Sequence, residues 1–233
     1  MNKNEVLVVI PAYNEADVIE TTINSLTTVF SSQQILVIDD GSSDNTSECV
    51  KKTGVHLETL KENVGKGGAM NKAVELIPSS IYLFVDADLG KTAHLCSSIL
   101  EPVIKEFGEM SIAYMPAPKG HKGGFGIVKW LASYTVEKYT DMKVNAVLSG
   151  QRAIRRELIL DIGGFADGYG IETDLTISAL CKGYEIIEVP IDGLAHKLTG
   201  RNIEGFKHRF KQFTDILKTI KNNKSKWEGF RYD

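Results

Sequence analysis

The sequence predicts an α/β fold, with a mixed, mainly parallel sheet flanked by helices. Three observations carry that expectation. Short apolar runs, Val6–Ile10 (VLVVI), Ile35–Ile38 (ILVI) and Ile81–Val85 (IYLFV), recur in the first ninety residues, the pattern of strands buried on both faces. Stretches with helical spacing separate them, so the order is that of βαβ units with right-handed crossovers. Each run then stops abruptly in polar or acidic residues, namely PAYNEAD, DDGSSDNT and DADLG. In open α/β sheets ligands bind beyond the carboxyl ends of the strands, so three such tips define one candidate edge.

Composition narrows the class. At 233 residues, 42% hydrophobic and 24% charged, the chain is an ordinary globular protein able to bury a large core. A net charge of −3 argues against a nucleic-acid binder, which would be basic. Cys49, Cys96 and Cys181 match no CxxC or zinc spacing, and free thiols fit a reducing cytosol. No apolar run reaches the ~20 residues of a membrane span, and no signal segment opens the sequence. The expected location is cytoplasmic, at most at the inner membrane face.

Taken in order, Val6–Ile10 is closed by Pro11, and Asn14 is placed to cap a helix starting near Glu15. That helix carries Val18, Ile19, Thr22, Ile23 and Leu26 at helical spacing. The strand Ile35–Ile38 ends in Asp39 and Asp40; Gly41 supplies the sharp turn and Asp44 caps the next helix. In NVGKGGAMNK, Gly65, Gly67 and Gly68 allow close backbone approach to a ligand, and Lys66 sets a cation among them. The run is no Walker loop, lacking GxxxxGK[ST], and is expected to lead into a helix over Ala69–Leu76.

The strand Ile81–Val85 then delivers Asp86-Ala87-Asp88. Two carboxylates so close are costly unless a cation sits beside them, and an oxygen-ligated divalent ion is the usual answer. A helix over Ser98–Phe107 and a strand over Ser111–Met115 follow. PAPKGHKGGFG has no hydrophobic period and reads as a lid-type loop, with Lys119–Phe125 ordering on ligand binding. Beyond it a helix is expected over Val128–Tyr139 and a strand over Val144–Leu148. Gln151 and Arg152 would then face the cleft, with Arg155 and Arg156 as surface helix charges.

A further helix begins around Glu172, with Glu172 and Asp174 in its first turn. Acids there either answer the helix dipole or serve as a general base. Tyr184–Ile191 is the last strand, and His196 follows it. Finally Ile203, Phe206, Phe210, Phe213, Leu217 and Ile220 form an apolar stripe, with Lys207, Arg209, Lys211, Lys218 and Lys221 around it. Such a helix over 203–221 either packs on the domain or lies on an anionic membrane.

The segments VVIPAYNEAD, ILVIDDGSSDNT, NVGKGGAMNKA, YLFVDADLG and GGFADGYGIETDLTISALCKGYEIIEVP together resemble family 2 glycosyltransferases of the nucleotide-sugar-dependent GT-A fold. The resemblance covers Val6 to Pro190 and implies a single GT-A domain over 1–233. Residues 1–115 would be the nucleotide-sugar-binding half, 116–200 the acceptor and catalytic half, and 201–233 the amphipathic helix and tail. It implies inverting transfer of a sugar from a UDP- or GDP-sugar to a small-molecule or lipid acceptor. Mg²⁺ or Mn²⁺ would be held through Asp86 and Asp88, with His196 as a third ligand.

By the same resemblance Pro11, Tyr13, Glu15 and Asp39 hold the base and ribose, and Lys66 contacts the nucleotide sugar. Asp40, Gly67, Ala87, Gln151 and Arg152 complete the donor set. Glu172 stands at the family's base position, and Asp174 is its substitute. The preferred acceptor is a hydroxyl compound; the alternatives are a polyprenyl phosphate, which needs no base, and a non-catalytic nucleotide-sugar-binding module. A nucleotidyltransferase is disfavoured because PAYNE replaces its glycine-rich, basic signature at the first strand end. The QxxRW of processive synthases is absent, so chain extension is not expected.

Overall fold

The computed structural model describes residues 6–115, 126–166, 170–194 and 203–232, with only the helical backbone at 203–212 and 231–232. Its first part runs β1 (Val6–Ala12), α1 (Ile19–Leu26), β2 (Ile35–Asp39), α2 (Thr46–Lys51), β3 (His56–Thr59), α3 (Gly65–Leu76) and β4 (Ile81–Phe84). A 3-10 helix over Gly90–Ile99 leads into α4 (Leu100–Ile104) and β5 (Met110–Tyr114). The second part is α5 (Gly126–Thr140), β6 (Arg152–Arg155), α6 (Arg156–Asp161), α7 (Ile171–Cys181), β7 (Ile186–Pro190) and α8 (Ile203–Tyr232).

One seven-stranded sheet has the order β3-β2-β1-β4-β6-β5-β7. β1 pairs in parallel with both β2 and β4, and its last residue, Ala12, stands opposite Asp39. The carboxyl ends of β1, β2 and β4 therefore share an edge. β6 runs antiparallel to β4, with Arg152 opposite Phe84. Its amino end thus reaches the edge where β4 delivers its carboxylates, and the residues just before Arg152 meet those just after Phe84.

The sheet is covered on both faces, which is why the strand runs show no polar alternation. One face packs Leu7, Val9, Tyr82 and Phe84 beneath α3, α5 and α7. The other packs Val8, Ile10, Val37 and Leu83 beneath α1 and the Gly90–Ile99 helix. Each such side chain contributes about 1.5–3 kcal/mol on burial.

Several elements differ from the sequence expectation, each for a local reason. No strand forms at Val144–Leu148; Asn145 and Ala146 give their N–H groups to Glu188 Oε1 at 2.8 and 2.5 Å, leaving no ladder there. The strand lies instead at β6, so Arg155 ends a strand and donates to Val103 O at 2.8 Å, while Arg156 opens α6. The short polar strand β3 was not expected; parallel pairing with β2 holds it.

Asn14 caps no helix. It takes up left-handed backbone at φ 56° and accepts from Ser43 N at 2.8 Å, so α1 starts only at Ile19. Asp44 does accept from Thr46 N, at 3.0 Å, one residue ahead of the helix boundary at Asn45. The expected helix Ser98–Phe107 is replaced by the Gly90–Ile99 turn of 3-10 helix and the short α4. The glycine run does not precede α3 but forms its first turn.

α8 packs on α5 and α7. Phe213 and Ile220 of the expected stripe pack against the core and Ile216 and Trp227 are fully buried, while Leu217 of that stripe is exposed. Side chains at 203–212, the loop 119–125 and His196 lie outside the described residues. Among the described residues no helix is long and apolar enough to cross a membrane.

The thiols are unequal. Cys96 is buried while Cys49 and Cys181 are half-buried. Burial, and then the nearby Asp86 charge, push the Cys96 thiol up to about 12. Thiolates are the reactive species, so a native-state titration with a disulfide reagent at pH 8 should modify Cys49 and Cys181 first. Cys96 should react only at the rate of unfolding. Equal rates for all three would contradict this placement.

Candidate active site

The site is assembled at the shared strand edge. Thr22 on α1 donates to Ala87 O at 2.7 Å and accepts from Gly90 N at 2.9 Å, which fixes the turn carrying Asp86 and Asp88. Asp86 then accepts from two elements: Lys66 Nζ reaches Oδ1 at 2.8 Å, and Gln151 Nε2 reaches Oδ2 at 2.6 Å. Lys66 Nζ also donates to Glu172 Oε1 at 3.0 Å. Four side chains from α3, the end of β4, the approach to β6 and the first turn of α7 thus form one bonded cluster.

Its electrostatics follow from that geometry. Burial alone would lower the Lys66 pKa, but the charges of Asp86 and Glu172 and their hydrogen bonds raise it above its ordinary value. Lys66 is therefore a fixed cation at neutral pH. Asp86 and Glu172, at 26% and 16% side-chain exposure, are shielded from each other by it while remaining open to solvent on one side.

The neighbouring glycines keep the cluster tight. A Cβ on Gly150 would stand 2.6 Å from both Asp86 Oδ2 and Lys66 Nζ, and one on Gly67 would stand 2.1 Å from Ala166 O. Gly67 thus lets α3 approach the Gly163–Ala166 turn. Asn71 closes that contact, donating to Phe165 O and accepting from Phe165 N, each at 2.9 Å.

The acids at the end of β2 do different work. Asp40 is buried and its two oxygens accept from Val64 N and Gly65 N, each at 2.8 Å, fixing the start of α3 just ahead of Lys66. Burial raises its pKa, and the two backbone N–H groups oppose the rise. Asp39, also buried, accepts from Ser42 N at 3.0 Å and from the Ser47 hydroxyl. Beside them Pro11 and Glu15 are half-buried, and Tyr13 is 48% exposed.

Two expected site residues are placed away from the cluster. Arg152 does not face the cleft: it is 1% exposed and donates to Ser149 O, Val147 O and Thr176 Oγ1 at 2.9, 2.6 and 2.9 Å. Burial lowers it to about 10, with Glu172, Asp86 and Glu188 opposing. It supports α7 from behind, since Thr176 Oγ1 in turn donates to Glu172 O at 2.6 Å. Asp174 is likewise 1% exposed and points at α8, where Oδ1 accepts from Trp227 Nε1 at 2.8 Å and Asn223 Nδ2 at 2.9 Å.

Asn71 and Trp227 were not singled out in the sequence, and Thr22 only as a member of a helix face. Nothing in their spacing marks these roles, because each acts through a partner more than fifty residues away. Among the described residues no three of His, Cys, Asp and Glu are gathered to hold a metal. Asp86 and Asp88 nevertheless offer carboxylate oxygens of the kind hard cations take, with ligand phosphates completing such shells.

The mainly parallel sheet, with an antiparallel strand beside a carboxylate-tipped central strand, has the GT-A fold. The chain belongs to glycosyl transferase family 2, whose model matches residues 7–163. It is similar to an uncharacterized protein of Methanocaldococcus jannaschii, 31% identical over 91% of this chain and 92% of that protein. It is also similar to the polyprenol monophosphomannose synthase of Mycolicibacterium smegmatis, 26% identical over 84% of this chain and 82% of that one. Among solved structures, glucosyl-3-phosphoglycerate synthase from Mycobacterium tuberculosis, crystallised with Mn²⁺, UDP and phosphoglyceric acid, superposes with a TM-score of 0.75. That match is 24% identical over 92% of this chain and 78% of the other, a likeness of fold.

Proposed function

We propose that this glycosyltransferase moves a sugar from a nucleoside diphosphate sugar, UDP- or GDP-linked, to a polyprenyl phosphate, with inversion at the anomeric carbon. The observation that carries the transfer is Lys66 held between Asp86 and Glu172 at the strand edge. Departure of a nucleoside diphosphate develops negative charge, and a fixed cation aimed at it lowers the barrier without reorganising. Gln151 holds Asp86 in place, and exposed Tyr13 provides a wall for the nucleoside. Asp88, with Asp86, would hold Mg²⁺ or Mn²⁺, which when bound neutralises diphosphate charge.

The acceptor assignment is supported by two full-length relatives. One is the polyprenol monophosphomannose synthase; the other is the undecaprenyl-phosphate mannosyltransferase of Micrococcus luteus, 23% identical over 86% of this chain and 88% of that one. A phosphate oxygen is already ionised and needs no base, so Glu172 serves to hold Lys66. The second reading is a hydroxyl acceptor with Glu172 as general base, favoured by its seat in the first turn of α7 with part of its carboxylate open to solvent.

One assay separates them. Labelled UDP-glucose and GDP-mannose are offered with Mg²⁺ or Mn²⁺ and a polyprenyl phosphate in detergent micelles, and organic-phase label is counted. The expected result is metal-dependent lipid-linked sugar. In Glu172→Gln the loss should fall well short of the ~10²–10⁴-fold that removal of a general base costs. A loss in that range, with donor affinity unchanged, would make Glu172 a general base and contradict its role as a mere holder of Lys66. No lipid-linked product with any donor would remove the polyprenyl phosphate.

A further inference from the structure

α5 is apolar on two faces. Val128, Leu131, Ala132, Thr135 and Val136 are buried in the domain, as any surface helix requires. Ile127, Trp130 and Tyr134 lie on the opposite side at 71%, 62% and 49% exposure. At 3.6 residues per turn these three fall within a narrow stripe. Trp130 and Tyr134 are stacked, ring centroids 5.4 Å apart and 12° from parallel, so the stripe is a preformed surface. By the same helical spacing Lys138 stands beside the stripe, and Lys129 lies on the same exposed arc about 100° round from Trp130, both exposed. The one acid on this arc, Glu137, faces Lys143 at 3.5 Å.

We infer that this face of α5 is an interfacial anchor that seats the enzyme on an anionic lipid surface. It deepens the proposed function and rests on it, since a polyprenyl phosphate is presented at a membrane. The chemistry is specific to an interface. Tryptophan and tyrosine carry an apolar body with a polar tip and settle at headgroup depth. Isoleucine supplies apolar area, and the flanking lysines meet lipid phosphates. A second copy of the chain fits less well, because Glu137, the one acid beside the stripe, already faces Lys143 and leaves Lys138 without a partner across a two-fold. The face belongs to a helix packed on α7, the element that carries Glu172. A membrane held by α5 is therefore joined to the catalytic cluster through one helix contact.

The chain has two tryptophans, and they report separately: Trp130 is exposed, whereas Trp227 is fully buried. The full chain is titrated with phosphatidylcholine vesicles, with and without phosphatidylglycerol, while tryptophan emission and co-sedimentation are followed. The expected result is a blue shift and sedimentation with anionic vesicles, weakened by salt. The shift should vanish in Trp130→Ser, and sedimentation should fall at least about tenfold in Ile127→Ser/Trp130→Ser. Lys129→Ser/Lys138→Ser should lose the preference for phosphatidylglycerol.

Absence of a shift with any vesicle overturns the anchor, as does a shift that persists in Trp130→Ser. A blue shift that grows with protein concentration without lipid assigns the face to self-association instead. Transfer to polyprenyl phosphate in detergent micelles is measured on the same samples. Product there without vesicle binding defeats the anchor alone, and vesicle binding without product defeats the acceptor assignment alone.

Discussion

Replacing Lys66 by methionine should lower transfer by about 10²–10³-fold, the effect of removing one fixed donor aimed at developing negative charge. Donor affinity should fall less, because an interaction that strengthens toward the transition state is lost mainly from kcat. The variant carries a second signature. Asp86 and Glu172 both bond to the same ammonium, and without it two carboxylates face each other. Their mutual repulsion should then lower the variant's melting temperature, which a thermal unfolding curve reads. In the native protein the raised Lys66 pKa has the opposite consequence. Its contribution to stability is fully present below the unfolded lysine value and is lost only as pH rises through the higher folded one, so Lys66 stays charged through neutral pH. Steady-state kinetics, with donor binding by calorimetry, separate the loss of turnover from the loss of affinity. A variant with native kcat would remove Lys66 from the mechanism.

Asp174→Ala should destabilise the fold by about 3–5 kcal/mol, the range for removing one partner of a buried charged pair. Asp174 is buried and receives Trp227 Nε1, Asn223 Nδ2 and, at 3.3 Å, Lys226 Nζ. Removing it leaves a buried indole N–H with no acceptor and frees α8 from the first turn of α7. The melting temperature should drop by on the order of 10 °C. Asp174→Asn keeps an acceptor for the indole and should recover much of the loss. If Asp174 were instead the base, both variants would keep native melting temperatures and lose turnover.

The sheet was legible because burial on both faces writes itself as apolar runs, as at Val6–Ile10, Ile35–Ile38 and Ile81–Val85. The catalytic edge was legible too, since polar residues at strand ends have few other reasons to be there. Asp40 shows the limit of that logic. It sits at a strand end, yet its oxygens are spent on the N–H groups that start α3, a role that sequence cannot distinguish from ligand binding. Asp174 and Glu172 are two residues apart, but helical rotation sends one toward α8 and the other toward Lys66. β6 was misplaced because the apolar run Val144–Leu148 reads as the strand and Arg152 as a cleft residue just beyond it. Only a tertiary partner, the Thr176 hydroxyl with the Ser149 and Val147 carbonyls, makes the burial of Arg152 affordable.

The antiparallel β6 also has a consequence for dissecting the enzyme. It is inserted between β4 and β5, so the donor-side strands are ladder-bonded to a segment that arrives only after α5 in the chain. A fragment ending at Tyr114 would leave one side of β4 with bare backbone donors and acceptors in an apolar strand, an invitation to intermolecular pairing. The two halves are thus inseparable at the bench. Swapping acceptor specificity between relatives by exchanging everything after β5 would replace the strand that completes the recipient's own sheet. A productive graft has to retain Gly150 through Arg155 of the recipient and exchange only what lies around it.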